Sequence, residues 1–315
     1  MKEITNQKVR KLLYYTNAYA NRFIVPNAYY RKQLTRKLDR IKNEEQAYVM
    51  DRLNHYHKIQ EPFTISDEAV TLRGVPSSSQ SVYFYDFLPI LQHFPAAARF
   101  DYAFGDVNWI PEVPSLVKSR PIVPENANGI VMKLEAIRHF RPIVDAVKYE
   151  DKIDKLVWRG AGWQPHRREF LKKCWDHPLC DVGQVNEQED TPVGWIKSKM
   201  SIAEQLQYKF VLSIEGNDVA TNLKWISQSN SLCFMTKPKM ETWFMEETLV
   251  PGEHYVQLRD DYADLGEKVE HYMRHPNEAK AIIQNFQAYY DQFRNPLREE
   301  LLGLMVIEKY LRLSG

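Results

Sequence analysis

Hydrophobic and polar positions divide the chain into three stretches of different period. In the first, Tyr30, Leu34, Leu38 and Ile41 recur at spacings of four, four and three. That is one helical stripe, so residues 27–58 are expected to form one long helix or a broken pair. In the second, residues 60–145, short apolar runs ("AVTLRG", "SVYFYDFL", "ARFDYAF", "GIVMKL") are separated by Pro, Ser and Asn clusters. This pattern predicts strands and loops with a few short helices. The segment "IPEVPSLVKSRPIVPENANG", with Pro111, Pro114, Pro121 and Pro124, is expected to be an ordered loop of the kind that carries functional groups.

From about residue 153 strands and helices alternate. "KLVWRG", "DVGQV", "YKFVLSIEG", "SLCFMT" and "HYVQL" read as strands. "PHRREFLKKCW", "SIAEQLQ", "DVATNLKWIS" and "DYADLGEKVEHYMRHP" read as the helices between and after them. Two further helices are expected near 277–294 and 296–313. Such alternation implies a parallel sheet covered on both faces, an α/β fold. "FVLSI" is almost wholly apolar, as a strand buried on both sides must be.

Composition adds limits. With 315 residues, 44% hydrophobic and 26% charged, the chain is long enough for two cores and has the make-up of an ordinary globular protein. No run approaches the roughly 18 apolar residues of a membrane span, and the N-terminus does not resemble a secretory signal. Three cysteines cannot form a disulfide framework, which points to a reducing, cytoplasmic setting. The net charge of +1 is unevenly spread. Residues 1–42 hold eleven Lys/Arg against Glu3 and Asp39, a balance of +9, and the rest is 31 minus 39, or −8. Tyr14, Tyr15, Tyr19, Phe23, Tyr29 and Tyr30 interleave with these cations. The segment is either the solvated face of amphipathic helices or a surface that meets anionic lipid or phosphorylated glycolipid. Nothing in the chain points to nucleic acid.

The candidate chemistry lies at strand ends. In open α/β sheets, ligands sit beyond the carboxyl ends of the strands. "EGND" occupies that place after "FVLSI". Gly216 and Asn217 would let a phosphate approach the backbone, and Thr221 and Asn222 could donate to oxygen. Lys224 adds a charge, and Asp218 reads as a helix N-cap. An ordinary strand-to-helix turn explains the same residues equally well. In "LVWRGAGWQPHRREF", Arg159 and Gly160 end a strand and Arg167 and Arg168 open the next helix. A fork-shaped cation there suits phosphate oxygens, although Arg168 reads more simply as a surface ion pair. Asp106, after Gly105, is either a general base or a turn former. There is no G-x-G-x-x-G after a strand, no phosphate-binding G-x-x-x-x-G-K-[ST], no H-E-x-x-H and no G-x-S-x-G. "CWDHPLC" (Cys174, His177, Cys180) lacks the fourth ligand and tighter spacing of structural zinc. No Asp-x-Asp at a strand end suggests a metal.

Taken in order, "YAFGDVNWIPEVPSLVKSRPI", "AIRHF", "LVWRGAG…HRREF", "DVGQV", "YKFVLSIEGNDVATNLKW", "SNSLCFM" and "ETWFMEETLVPGEHYVQLRDDYADLGEKVEHYMRHP" resemble glycosyltransferase family 90. That family holds the capsule-associated xylosyltransferases and Rumi-type protein O-glucosyltransferases. The likeness is greater to its bacterial, lipopolysaccharide-modifying branch, and it spans roughly residues 95–290. The resemblance implies a GT-B fold, two Rossmann-like domains facing a cleft, with a helical N-terminal segment and C-terminal helices. The expected bounds are 1–147 for an acceptor-side domain (helical over 1–58), 148–290 for the nucleotide-sugar domain, and 291–315 for a helix packing back on the first domain.

The resemblance also implies metal-independent, inverting transfer from a UDP-sugar donor to a glycan or glycolipid acceptor such as lipopolysaccharide core, with no cofactor. The family's strand-end "(F/W)RG" arginine falls on Arg159 and a downstream arginine on Arg167. Its "G-x-x-x-S-x-R-x-K" donor turn falls on Gly216 to Lys224. Lys224 matches, and Asn222 stands at the arginine position. "METWFME" places Glu241 near the ribose. Where eukaryotic members carry the catalytic aspartate in "R-D-Y-P", this chain has Asn108, Trp109 and Ile110, so Asp106 is the nearest candidate base. The competing expectation is a nucleotide- or glycan-binding protein that kept the fold without catalysis. A kinase-like phosphotransferase is disfavoured, since no P-loop or metal-binding pair is present.

Overall fold

The computed structural model describes residues 9, 12–16, 27–38, 43–71, 74–75, 81–139 and 141–315. Much of the basic segment 1–42, including Lys2, Lys8, Arg10, Lys11, Arg22, Arg40 and Lys42, lies outside the described residues, as does Ile41 of the helical stripe. The chain forms two compact units. Residues 1–140, 240–245 and 295–315 make the first, and residues 141–239 and 246–294 the second.

In the first unit, the stretch expected as one long helix or a broken pair contains two helices, Asn27–Leu38 and Asn43–Tyr56. Strands β1 (Val70–Thr71), β2 (Arg99–Ala103), β3 (Ser115–Val117) and β5 (Gly129–Val131) form a sheet in the order β1-β2-β3-β5. β1 is antiparallel to β2, and the other pairs are parallel. The proline-rich stretch is therefore not only loop. It carries β3 and also β4 (Ser119–Pro121), which pairs antiparallel with the strand Met240–Thr242. That pairing places residues 240–245 with the first unit.

"SVYFYDFL" is a helix, Ser81–Leu91, rather than a strand. Its buried positions are Tyr83, Phe84, Phe87, Leu88 and Leu91, a stripe at i, i+1, i+4, i+5 and i+8. That period is helical, whatever the strand propensity of the aromatic residues. The last helix, Pro296–Leu313, starts with Pro296 at its first position and Asn295 as cap, whose side chain accepts from the amides of Leu297 and Arg298. It buries Leu302, Leu304, Val306, Ile307 and Tyr310 within this unit. The Tyr310 hydroxyl accepts from the amide of Asp101 and donates to the carbonyl of Pro114, 3.0 Å in each case.

The second unit is a five-stranded, wholly parallel sheet. β6 (Ile153–Gly160), β7 (Cys180–Gln184), β8 (Tyr208–Leu212) and β9 (Leu232–Thr236) are joined by Val256–Leu258. The spatial order is Val256–Leu258, β9, β8, β6, β7. Numbered from β6, this is 2-1-3-4-5, a common doubly wound order. Helices Pro165–Cys174, Leu265–Arg274 and Pro276–Asp291 pack on it, and Trp158, Phe170, Phe210, Phe234, Val269 and Ile283 are among the buried core. Among the described residues no helix is long and apolar enough to cross a membrane.

Candidate functional site at the switch point of the second sheet

A doubly wound sheet has one place where the chain stops adding strands on one side and starts on the other. Loops leaving the strands there diverge and open a crevice at the carboxyl ends. In this unit the place is between β6 and β8. β6 runs into Gly160, Ala161 and Gly162. A Cβ on Gly162 would lie 2.1 Å from the Gln184 side-chain oxygen, so a side chain here would force Gln184 off the end of β7. The Gly162 amide donates to Asn186 Oδ1 at 2.7 Å.

Arg167 spans the divergence. It sits in the first turn of the helix that follows β6. Its Nη1 donates to the carbonyl of Ala161 at 3.0 Å, on the β6 side. Its Nη2 and Nε donate to the carbonyls of Ile214 at 3.0 Å and Glu215 at 2.9 Å, beyond β8. A Cβ built on Gly216 would lie 3.4 Å from Arg167 Nη2, so the glycine backbone passes directly beside the cation. Gln164 Nε2 reaches Asn217 Oδ1 at 3.2 Å, and His166 contacts the Glu215 carbonyl at 2.8 Å.

The remaining expected donor residues are placed less openly. Arg159 lies on β6 with its guanidinium against Asp181 of β7. Nη2 donates to the carboxylate at 2.7 Å, Nη1 to the carbonyls of Asp181 and Trp158, and Nε to that of Ser198. Lys197 and Tyr208 also reach the Asp181 carboxylate, at 2.9 and 2.5 Å. Burial alone would raise the pKa of Asp181, but these three donors together hold it well below the usual carboxylate range.

The segment after Gly216 is not the long helix expected. It is a turn followed by a single helical turn, Leu223–Ile226. Asn222, not Asp218, occupies the cap position and makes no side-chain cap bond. Instead Asn222 Nδ2 donates to the carbonyl of Leu212 at 2.9 Å, tying the turn to the end of β8. Asp218 is buried and Thr221 half-buried. Lys224 is buried, with its ammonium on the Glu246 carboxylate. Arg168 forms the expected surface pair, 2.8 Å from Asp190. Cys174 and Cys180 are buried free thiols, pushed up by burial to about 11 and about 12.

Two expected residues belong to the first unit. Asp106 follows Gly105, whose φ of 110° is open to glycine alone. Asp106 is part-exposed and accepts from Lys118 at 2.8 Å. Lys118, itself fully buried, also reaches Glu135 at 3.2 Å. Glu135 adopts φ 65°, a left-handed conformation rare outside glycine. It accepts from Tyr83 at 3.3 Å and from Arg138 at 2.8 Å, with His139 at 3.5 Å. Burial works against the charge on both carboxylates, yet their donors hold Asp106 below its ordinary value and Glu135 down to about 2. Lys118 and His139 lie inside stretches that carry the family resemblance, but no local spacing marks them, Glu135 and Tyr83 as one cluster.

Glu241 is fully buried, directly across the strand pair from Arg120. Its two oxygens take Arg120 Nε and His55 Nε2, each at 2.7 Å. Burial opposes its charge, and His55 and Arg120 outweigh that and lower its pKa.

Sequence comparison places the chain. The profile described as Glycosyl transferase family 90 matches residues 122–297, more than half of the chain. O-glucosyltransferase LpsA of Dichelobacter nodosus is 42% identical over 316 residues, covering 99% of both proteins. The chain belongs to glycosyl transferase family 90. More distant relatives include Protein O-glucosyltransferase 2 of Danio rerio, 27% identical over 139 residues, which are 42% of this chain and 28% of that protein. Protein O-glucosyltransferase 3 of Homo sapiens is 24% identical over 166 residues, 51% of this chain and 32% of that protein. The span matched by the family 90 profile includes the switch point of the second sheet. Asp106 precedes it.

Proposed function

We propose that this family 90 member is a GT-B enzyme that transfers glucose from UDP-glucose to a hydroxyl of a lipopolysaccharide-core glycan, with inversion and without a metal ion. The observation that carries the reading is the bridging of the β6/β8 switch point by Arg167, where a doubly wound sheet takes its ligand. The choice of glucose follows the three relatives above, each named an O-glucosyltransferase. The acceptor class follows the bacterial branch that the motifs resemble.

The diphosphate lies over the loops 160–162 and 214–217. Arg167 meets the charge that grows on UDP as the bond from its oxygen to the glucose anomeric carbon breaks. The acceptor oxygen attacks that carbon from the opposite face, and Asp106 takes its proton. Lys118 keeps Asp106 ionised and ready to receive it. Arg159 acts at one remove, fixing β6 against β7 through Asp181. Glu241 in turn fixes the strand Met240–Thr242 against β4. The enzyme works in the cytoplasm, at the inner face of the membrane.

Thermal unfolding in EDTA with a panel of UDP-sugars tests the donor. A ligand that binds only the folded state raises the melting temperature. UDP-glucose is expected to give the largest shift. No shift with any UDP compound at millimolar concentration contradicts the donor assignment. A shift without transfer to any glycan supports a binding protein that lacks catalysis.

A further inference from the structure

The helix Leu265–Arg274 stops at His275, and the helix Pro276–Asp291 starts immediately after it. His275 is shared by both ends, with φ −122° and ψ 63°. His271 in the last turn of the first helix, His275 at the break and Glu278 in the first turn of the second converge there. One nitrogen or oxygen from each lies within 4.8 Å of the others. The imidazole rings of His271 and His275 stack with centroids 4.2 Å apart and planes inclined by 21°. His271 and Glu278 side chains are 44% and 57% exposed, so an ion in solution can reach them.

The hydrogen bonds around the two imidazoles suit a ligand set. His275 Nδ1 lies 2.7 Å from the carbonyl of His271. A carbonyl only accepts, so Nδ1 carries the hydrogen, and the lone pair of the neutral ring is on Nε2. A ring hydrogen held by a backbone carbonyl is the usual way a metal-binding histidine is oriented. His271 Nε2 lies 2.9 Å from the Glu278 carboxylate. A cation placed between these two atoms replaces one shared proton.

We infer that His271, His275 and Glu278 form a surface site for a borderline-soft divalent transition metal, of the Zn²⁺ class, that clasps the junction of the two helices. Two imidazoles and one carboxylate, with water completing the shell, suit zinc. At zinc–ligand distances of about 2.0–2.2 Å the ligand atoms sit roughly 3.3 Å apart, so on binding the two stacked imidazoles must fan apart about their side-chain bonds until each in-plane lone pair points at the ion, which their exposure on the surface allows. Mg²⁺ and Ca²⁺ prefer all-oxygen shells and are excluded by the imidazoles. The site has no part in the transfer proposed above, and it stands or falls separately from it.

The test is calorimetric titration of ZnCl₂ into the untagged full-length protein near pH 7.5, in two buffers of different ionisation heat, beside the variants His275→Ala, Glu278→Gln and the triple variant. All three positions face solvent, so the variants are expected to fold, and their unliganded melting temperatures verify it. The expected result is saturable binding with proton release, a raised melting temperature, and affinity at least about tenfold weaker in each single variant. Binding should strengthen from Mn²⁺ through Co²⁺ and Ni²⁺ to Cu²⁺. Equal zinc affinity in the triple variant, or no saturable binding by the native protein at zinc up to about 0.1 mM (weaker than roughly −5.5 kcal/mol), overturns the assignment.

Discussion

Arg167 Nη2 donates to the carbonyl of Ile214 at 3.0 Å, and through this bond a helix that follows β6 holds the loop that leaves β8. The contact crosses the point where strand order reverses. It puts a guanidinium beside the backbone of Gly216, a position without a side chain where a diphosphate would meet the cation.

Arg167→Ala is expected to weaken UDP binding by one to two decades, since a hydrogen bond from a charged donor contributes about 1.5–3 kcal/mol. Arg167→Lys should recover little, because an ammonium cannot reach carbonyls on both sides of the crevice at once. Arg159→Ala, whose principal partner is Asp181, should affect UDP less than Arg167→Ala does. Calorimetry on folded variants checks this ranking. Unchanged affinity in Arg167→Ala would place the donor elsewhere.

Glu135 gives a pH dependence with a definite sign. Its pKa falls from 4.5 to about 2 on folding. A depressed carboxylate stabilises the fold fully above its unfolded value, and the contribution is lost as pH drops from 4.5 towards 2. The linkage amounts to about 3 kcal/mol. Lys118→Met removes the cation shared by Glu135 and Asp106. It should cost about 3–5 kcal/mol at neutral pH, where a buried charge loses its partner. The loss should shrink below pH 4.5 as the carboxylates take up protons. Urea denaturation of both proteins at pH 7 and pH 3.5 measures the difference, and an equal loss at the two values would contradict the coupling.

The second unit was largely legible from its residues. Apolar runs such as "FVLSI" and the glycine after Arg159 fix a buried parallel strand and its end. The strand order, and with it the meaning of Arg167, was not legible, because pairing between β6 and β8 leaves no local mark. "SVYFYDFL" is undecided between strand and helix as sequence because Tyr, Phe and Val favour strands, whereas the helical spacing of its buried positions is visible only once a core exists. The turn after Gly216 read as the start of a longer helix, since "DVATNLKWIS" has helical spacing. The structure spends Asn222 on the Leu212 carbonyl and forms only one turn. The Lys118–Glu135 pair was hidden for a different reason. It joins residues 17 apart in sequence through a left-handed Glu135 that no propensity anticipates.

Arg120 and Glu241 face each other across β4 and the strand Met240–Thr242, both fully buried. Arg120→Met should destabilise the protein by about 3–5 kcal/mol, because it strands the Glu241 carboxylate. The double variant Arg120→Met with Glu241→Leu should recover most of that loss, as no charge is then left without a partner. Chemical denaturation of the single and double variants checks it. A double variant as unstable as the single one would mean that the shape of the pair matters more than its charge.

Residues 1–42 carry a balance of +9. If they meet an anionic surface, the protein should sediment with vesicles containing phosphatidylglycerol and not with neutral ones. The bound fraction should fall as salt rises from about 0.05 to 0.5 M and screens the attraction. Equal sedimentation with both vesicle types, or with neither, would return the segment to an ordinary solvated helix face.

Transfer itself is measured with labelled UDP-glucose, EDTA-treated protein and a lipopolysaccharide core acceptor, the native chain beside Asp106→Asn. The side chain keeps its shape in that variant while the carboxylate, held ionised by Lys118, is lost. The expected result is a β-linked glucosyl product from the native protein, the anomer opposite to the α-linked donor. In Asp106→Asn the rate should fall by about 10²–10⁴-fold with UDP affinity unchanged. Near-normal turnover in the variant, retention of the donor's anomeric configuration, or activity that vanishes in EDTA would contradict the mechanism.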